Sequence, residues 1–99
     1  MLLLITAWFP FEKSSEASKA WTSTPTFPIY MKRLGDWNVM NAEKGLKTYH
    51  LIELESGRSD EGLMELRKVL NHFSKIEGYR WRIEIITTVE DTLNLFGFK

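Results

Sequence analysis

The sequence contains no cysteine among its 99 residues. Disulfide bonds, thiolate nucleophiles and zinc–thiolate centres are therefore excluded. A chain without cysteine is compatible with a reducing compartment, and we expect a cytoplasmic protein. The 13 basic and 13 acidic side chains leave a formal net charge of zero. Because a phosphate backbone is bound by clustered basic side chains, nucleic acid is not an expected partner.

No hydrophobic run in the sequence predicts a membrane span. The apolar stretch at residues 2–9, LLLITAWF, is too short to cross a bilayer and is followed by Pro10 and charged residues. It lacks the basic start and the small-residue cleavage site of a signal peptide, so we expect a buried first strand instead. Phosphate-binding loops, nucleophile elbows and dinucleotide-binding glycine patterns are also missing. We expect no membrane partner and no cofactor.

Hydrophobic periodicity predicts four strands. Residues 2–9 are apolar at both odd and even positions, which is typical of a strand covered on both faces. Residues 29–41 predict an irregular strand with a bulge at Gly35, and residues 46–56 predict its partner. Residues 42–45 predict the hairpin turn between them, with Gly45 at positive φ. The fourth strand lies within residues 78–91, GYRWRIEIITTVED.

Two helices are predicted between these strands. Residues 11–21 form a weak amphipathic pattern, and residues 22–28 form a connecting loop with two prolines. The second helix is clearer: Ser59 is its predicted N-cap, Lys75 lies in its last turn and Gly78 follows it as a C′ glycine. Its apolar stripe contains Leu63, Leu66, Leu70 and Phe73. The final residues, 91–99, predict a short turn of helix or a tail.

The order strand, helix, strand, strand, helix, strand predicts a single α+β domain over residues 1–99. It is the ferredoxin-like βαββαβ arrangement, with a four-stranded antiparallel sheet in the order 4-1-3-2 and two helices on one face. In the fourth strand Trp81, Ile83 and Ile85 must pack under the helices, so Arg82 and Glu84 point to the other face. By the same alternation, Leu46, His50, Ile52 and Leu54 face the helices, and Tyr49, Leu51 and Glu53 face away.

The face without helices combines an apolar centre with a charged rim. Such a surface is typical of an interface or a binding cavity. Because one domain can cover only one side of the apolar first strand, we expect a homodimer or a higher homo-oligomer that associates sheet to sheet.

Two short motifs resemble the dimeric α/β-barrel superfamily, and in particular a small family of uncharacterised proteins in it. They are LGDWNV around Trp37 and YHLIELES around Glu53. The resemblance implies that two sheets face each other to close a barrel. Members of the superfamily include haem-degrading and antibiotic-biosynthesis monooxygenases and muconolactone isomerase-like enzymes. A shared fold does not transfer a function.

Six residues are candidates for a ligand pocket: Trp37, Tyr49, His50, Glu53, Arg82 and Glu84. The charged members form either a solvated cross-strand ion-pair network or an enclosed cluster of paired charges. His50 is interpreted as a core histidine with one hydrogen-bond partner. A shift of the strand by one residue would place it on the opposite face, as a base or a ligand.

A metal site is not expected. Glu61 and Glu65 lie four residues apart on the second helix, but no histidine completes a ligand set with them. His72 is interpreted as a surface residue. The alternative role, as an axial haem ligand, is suggested by haem-degrading relatives, which place a histidine on this helix. Those relatives also place an asparagine on the first strand. The first strand of this chain has Thr6 and no asparagine, which counts against haem.

Three functions remain open at this point. The first is a dimeric barrel that binds a small, partly aromatic or apolar ligand between its sheets. The second is a cofactor-independent monooxygenase or isomerase of the dimeric α/β-barrel type. The third is a structural or regulatory homo-oligomer without a cavity. A cavity would disfavour the third, and a proton-transfer group within reach of that cavity would favour the second.

Overall fold

The computed structural model describes residues 1–24, 26–41 and 45–97. It is an α+β fold with four antiparallel strands and three helices. The elements are β1 (Leu2–Phe9), a 3-10 turn (Phe11–Lys13), α1 (Ser14–Thr22), β2 (Met31–Asn41), β3 (Gly45–Leu54), α2 (Ser59–Phe73), β4 (Arg80–Ile86) and α3 (Val89–Leu95). Among the residues described, no helix has the length and apolar character needed to cross a membrane.

The sheet is built around β1. Its strands run in the order β2-β3-β1-β4, which is 4-1-3-2 when read from the opposite edge. β1 pairs with β3 on one side and with β4 on the other. Because β1 has a hydrogen-bonded neighbour on each side, its backbone N–H and C=O groups are paired along both edges. The continuously apolar segment therefore lies inside the sheet, as its sequence predicts.

The hydrophobic core lies between the odd-numbered side of β1 and the helices. Leu3 and Ile5 form one cluster with Ile52 of β3 and with Leu66 and Leu70 of α2. A second cluster contains Phe9, Ala17, Phe73 and Ile76. The apolar stripe of α2 and the even-numbered side of β3 are therefore packed as the sequence predicts.

Ile85 does not pack under the helices, contrary to the sequence expectation. It is 60% exposed, although it lies opposite Leu3 on the helix-covered face. The reason is the position of α2, whose buried side chains pack in the cluster centred on β1 and β3. The end of edge strand β4 is left open as one wall of a groove that also contains Met64 and Trp81.

The ends of α2 also differ from the prediction. Arg58 is the N-cap, no side chain caps the helix, and Ser59 is already its first residue. The helix ends at Phe73, earlier than predicted, and two tight turns follow. Gly78 has a φ of +84°, but it belongs to the second of these turns, not to a helix cap. The turns bring the chain back so that β4 begins at Arg80.

Two predicted glycine positions are confirmed in the β2–β3 hairpin. Gly45 has a φ of +92°, and the rest of the predicted turn, residues 42–44, lies outside the described residues. A bulge occurs at Gly35, because Arg33 lies opposite Ile52 whereas Gly35 lies opposite Leu51. Two residues of β2 thus oppose one residue of β3. The extra residue brings Arg33 and Asp36 to the same face of the sheet.

The short turn of helix predicted near the end of the sequence is present as α3, Val89–Leu95. The Thr88 hydroxyl accepts a hydrogen bond from the backbone N–H of Asp91 and caps the helix N-terminus. None of the residues of α3 is buried. Residues 98–99 of the predicted tail lie outside the described residues.

The packing of α2 predicts a contrast between two substitutions on this helix. Leu70→Ala should lower the free energy of unfolding by about 2–5 kcal/mol, because the 5% exposed side chain leaves a cavity in the main cluster. Met64→Ala, at a 64% exposed position, should cost less than about 0.5 kcal/mol. Urea denaturation measures both values. Equal costs would show that α2 does not pack through this stripe.

Candidate functional site

The six residues singled out from the sequence lie on two different faces. The strand register places Trp37, Tyr49, Glu53, Arg82 and Glu84 on the face without helices, together with Leu4, Thr6 and Trp8. We call this surface the open face. His50 lies on the opposite face, beneath the helices, as the alternation of β3 predicts.

The centre of the open face is covered by its own long side chains. Thr6 lies opposite Tyr49 and Arg82, and it is 0% exposed. The guanidinium of Arg82 lies 5.5 Å from the centre of the Trp8 ring, and the Lys47 ammonium lies 5.0 Å from that of Tyr49. The open face is therefore a flat layer of aromatic rings and cations.

The ion pair on the open face is exposed. Arg82 Nε lies 3.2 Å from Glu84 Oε1, and both side chains are about half accessible. Such a pair contributes little to stability, about 0–1 kcal/mol. Trp37 is exposed on the same face, at the edge strand. Its indole lies over Gly35, where a Cβ atom would overlap the ring, so the bulge glycine also makes room for this tryptophan.

A cavity of about 480 Å³ lies on the other side of the sheet, between α1 and the strands β2 and β3. We call it the α1 cavity. Its lining comprises Phe9, Ser14, Ala17, Ser18, Trp21, Thr22, Arg33, Asp36, Asn38, Leu46, Thr48, His50, Phe73 and Tyr79. A narrow apolar extension of about 30 Å³ reaches from it toward Ile5, Ile52 and Leu66. The cavity thus joins a polar wall to the hydrophobic core.

The polar wall consists of two cross-strand pairs. Asp36 lies opposite His50, and Asn38 lies opposite Thr48. His50 Nδ1 lies 2.7 Å from Asp36 Oδ1, which is a short hydrogen bond. Because a carboxylate only accepts hydrogen bonds, Nδ1 carries the proton in this arrangement. Arg33 Nε lies 3.7 Å from the other carboxylate oxygen, Oδ2.

Trp21 covers this polar group. It comes from the end of α1, and its ring stacks on the His50 ring at 4.8 Å between centres. The Arg33 guanidinium lies 4.6 Å from the centre of the same indole. The three side chains are held together by stacking and cation–π contacts, so Trp21 shields His50 and Asp36 from bulk water on one side.

The cavity lining also contains the hydroxyl groups of Thr48 and Tyr79, besides those of Ser14, Ser18 and Thr22 on α1. Thr48 is 8% exposed, and its Oγ1 has no hydrogen-bond partner among the described residues. An unpaired buried hydroxyl is costly, and the Thr48 Oγ1 atom is almost completely inaccessible behind the cavity wall. Tyr79 stacks between Phe9 and Phe73, and burial raises its pKa to about 12. The phenol is therefore neutral at physiological pH and can donate a hydrogen bond.

The α1 cavity combines a group capable of proton transfer with apolar surface. Arg33, Asp36 and His50 are the charged or basic groups of its lining, which also contains aromatic, aliphatic and hydroxyl-bearing side chains. No group of three or more potential metal ligands occurs in the part of the chain that the structure describes. His72 is exposed on α2, in edge contact with Phe73, and does not belong to the cavity lining.

Sequence reasoning identified His50 but missed its two contacts, Asp36 and Trp21, and the other polar residues of the cavity lining, Arg33, Asn38 and Thr48. The signal that could have found Asp36 is the hairpin itself. The structure pairs Asn41 with Gly45, and counting back along both strands from that pair places Asp36 opposite His50. The position of Trp21 depends on how α1 lies across the sheet, and no pattern in the sequence reports that.

No family model matches the chain, and neither a curated protein nor a solved structure matches it.

The buried phenol of Tyr79 predicts a loss of stability at alkaline pH. The unfolded chain releases the Tyr79 proton near pH 10.0, whereas the folded protein retains it to about pH 12. The stabilisation is fully present below pH 10.0 and is lost as the pH rises toward 12, because the folded state then binds more protons than the unfolded state. In Tyr79→Phe, which has no phenol to ionise, the free energy of unfolding measured by urea denaturation should fall less over this pH range than in the wild type. Parallel stability curves for both proteins would contradict the burial of the phenol.

Because the Thr48 hydroxyl has no partner among the described residues, we expect that its removal does not destabilise the protein. Thr48→Val keeps the shape of the side chain and removes a buried group without a partner, so the free energy of unfolding should stay constant or rise. Thr24→Val is the control, because Thr24 Oγ1 donates to the carbonyl of Ala20 at 2.8 Å. The control should lose about 1 kcal/mol in thermal denaturation. An equal loss for Thr48→Val would mean that its hydroxyl is satisfied.

Proposed function

We propose that this protein is a ferredoxin-like homodimer of the dimeric α/β-barrel type that binds a small, partly aromatic ligand. The dimer forms through the open face. In its support, Leu2, Leu4 and Leu51 lie on this face and remain partly accessible in the single chain. Trp37 and Val39 extend the apolar surface to the edge strand, and both are exposed. A second sheet would remove these side chains from water.

The observation that carries ligand binding is the α1 cavity. It has the volume of a small-molecule site, and its polar groups converge on one wall opposite aromatic side chains. From the sequence alone the ligand was expected between two sheets. The α1 cavity is the better-supported position, because the centre of the open face is filled by Trp8, Tyr49 and Arg82.

A second candidate function is a cofactor-independent enzyme, an isomerase or monooxygenase. The specific observation that favours it is the hydrogen-bonded pair of His50 and Asp36 in the cavity wall. A histidine oriented by a carboxylate is a common proton-transfer group. A purely structural oligomer leaves the cavity without a role.

The dimer can be tested at its centre. Leu51→Glu places a carboxylate in the middle of the open face, where the single chain tolerates it because the side chain is partly exposed. The wild-type protein should scatter light with twice the chain mass of 11.6 kDa, and Leu51→Glu with the mass of one chain. Met64→Glu on α2, outside the open face, should remain dimeric. A monomeric wild type at micromolar concentration would refute this assembly.

Ligand binding can be tested by closing the cavity. Ser18→Trp fills the α1 cavity from α1, whereas Ser15→Trp, on an exposed position outside the lining, leaves it open. A panel of small aromatic compounds is screened by NMR. Compounds that bind should shift the Trp21 indole and Asn38 and Thr48 amide signals in the wild type and in Ser15→Trp, but not in Ser18→Trp. Shifts confined to Trp8, Trp37 and Tyr49 would place the ligand between the sheets instead.

A further inference from the structure

We propose that His50 and Asp36 form a proton-accepting pair that selects a small planar weak acid, a phenol or an enol, and binds it as its anion. The inference rests on the proposed ligand binding in the α1 cavity. It names the chemical class of the ligand and the atom that receives its proton, His50 Nε2.

The first argument is the tautomer of His50. Asp36 Oδ1 accepts the Nδ1 proton at 2.7 Å, so Nε2 carries the lone pair of the neutral ring. Nε2 has no hydrogen-bond partner within the described ranges, and His50 lines the cavity. This tautomer therefore leaves one ring nitrogen able to accept a proton from a bound molecule.

The second argument is charge. Proton transfer from a ligand O–H to Nε2 creates an imidazolium and an oxyanion, with no further reactant. Asp36 stabilises the imidazolium through the existing hydrogen bond, and the Arg33 guanidinium beside Asp36 adds a positive charge to the same cavity lining. The cavity lining contains two other titratable or charged groups, Asp36 and Tyr79, and neither α1 nor α2 contributes one from its described residues. The wall therefore favours an anion next to a protonated His50.

The third argument is shape and polarity. Apart from the hydroxyl-bearing residues Ser14, Ser18 and Thr22 on α1, the rest of the lining is aromatic or aliphatic, including Phe9, Leu46 and Phe73, so an apolar ring can pack in the cavity. The Asn38 amide lies on the next cross-strand pair, also in the lining, and can bond a second oxygen of the ligand. A planar ring or a conjugated enol with one acidic hydroxyl fits this combination. A multiply charged ligand does not, because Asp36 balances Arg33.

The probe for the test is p-nitrophenol, whose phenolate has a visible absorbance band that the neutral phenol lacks. With excess wild-type dimer, at a pH below the pKa of the free compound, the phenolate band should appear. The pKa of the bound compound should fall by about 1 or more. Binding itself is followed separately, by the Trp21 indole signal in NMR. In the complex, the nitrogen chemical shifts of His50 should be those of the doubly protonated ring.

Matched variants assign the effect. His50→Gln should bind p-nitrophenol without producing the band, and Asp36→Asn should weaken the band at least about tenfold, because the amide no longer stabilises the imidazolium. His72→Gln, at the exposed histidine of α2, should behave as the wild type. Circular dichroism verifies that each variant is folded. The wild-type nitrogen shifts test the tautomer even where a variant fails to fold.

The outcomes separate this inference from the proposed function. Binding without the phenolate band, or a band that persists in His50→Gln, overturns the proton-accepting pair and leaves ligand binding intact; the persisting band would point to Arg33 alone. A different outcome is that p-nitrophenol does not bind, whereas other aromatic compounds bind to the wild type and not to Ser18→Trp. That outcome overturns the proposed ligand class only. Absence of any hit overturns the proposed function itself.

Discussion

The pairing of β1 with both β3 and β4 is the interaction on which the rest of the structure depends. It places Leu3 and Ile5 beneath the helices and leaves Leu4 and Trp8 on the opposite side. The two faces of β1 thus form one side of the hydrophobic core and the middle of the open face. Because side chains alternate strictly along a central strand, a one-residue shift of its register would exchange the residues of both surfaces. The core and the proposed dimer surface are two sides of the same eight residues, Leu2–Phe9.

The bulge in β2 has the corresponding importance for the α1 cavity. In a regular strand Arg33 and Asp36 would lie on opposite faces, since they are three residues apart. The extra residue at Gly35 brings both to the helix-covered side, where Asp36 meets His50 across the hairpin. The same glycine makes room for the Trp37 ring on the open face. A local irregularity of the backbone thus determines the chemistry of one face and the shape of the other.

The two faces differ in what they can bind. The open face is flat, and its charges are exposed or lie over aromatic rings, as expected of a surface that meets another surface. The α1 cavity is concave, with a buried hydroxyl and a hydrogen-bonded acid–histidine pair on one wall. This difference between the two faces is the basis of the proposal that the protein assembles through one side of its sheet and holds a small molecule on the other.

The sequence by itself determined the element order, the antiparallel partners and the face to which most strand residues point. These follow from alternation, from the glycines at 35 and 45 and from the apolar stripe of α2, all of which are local patterns. Alternation also favoured the helix-covered face for His50, but a one-residue shift would have reversed it, and the observed register of β3 decided it.

Only the tertiary structure decided that α1 stands far enough from β2 and β3 to leave a cavity. It likewise decided that Trp21 covers His50, and that the end of β4 stays open at Ile85. The physical reason is that the position of a helix over a sheet results from the packing of many side chains at once, which no periodicity along the chain encodes.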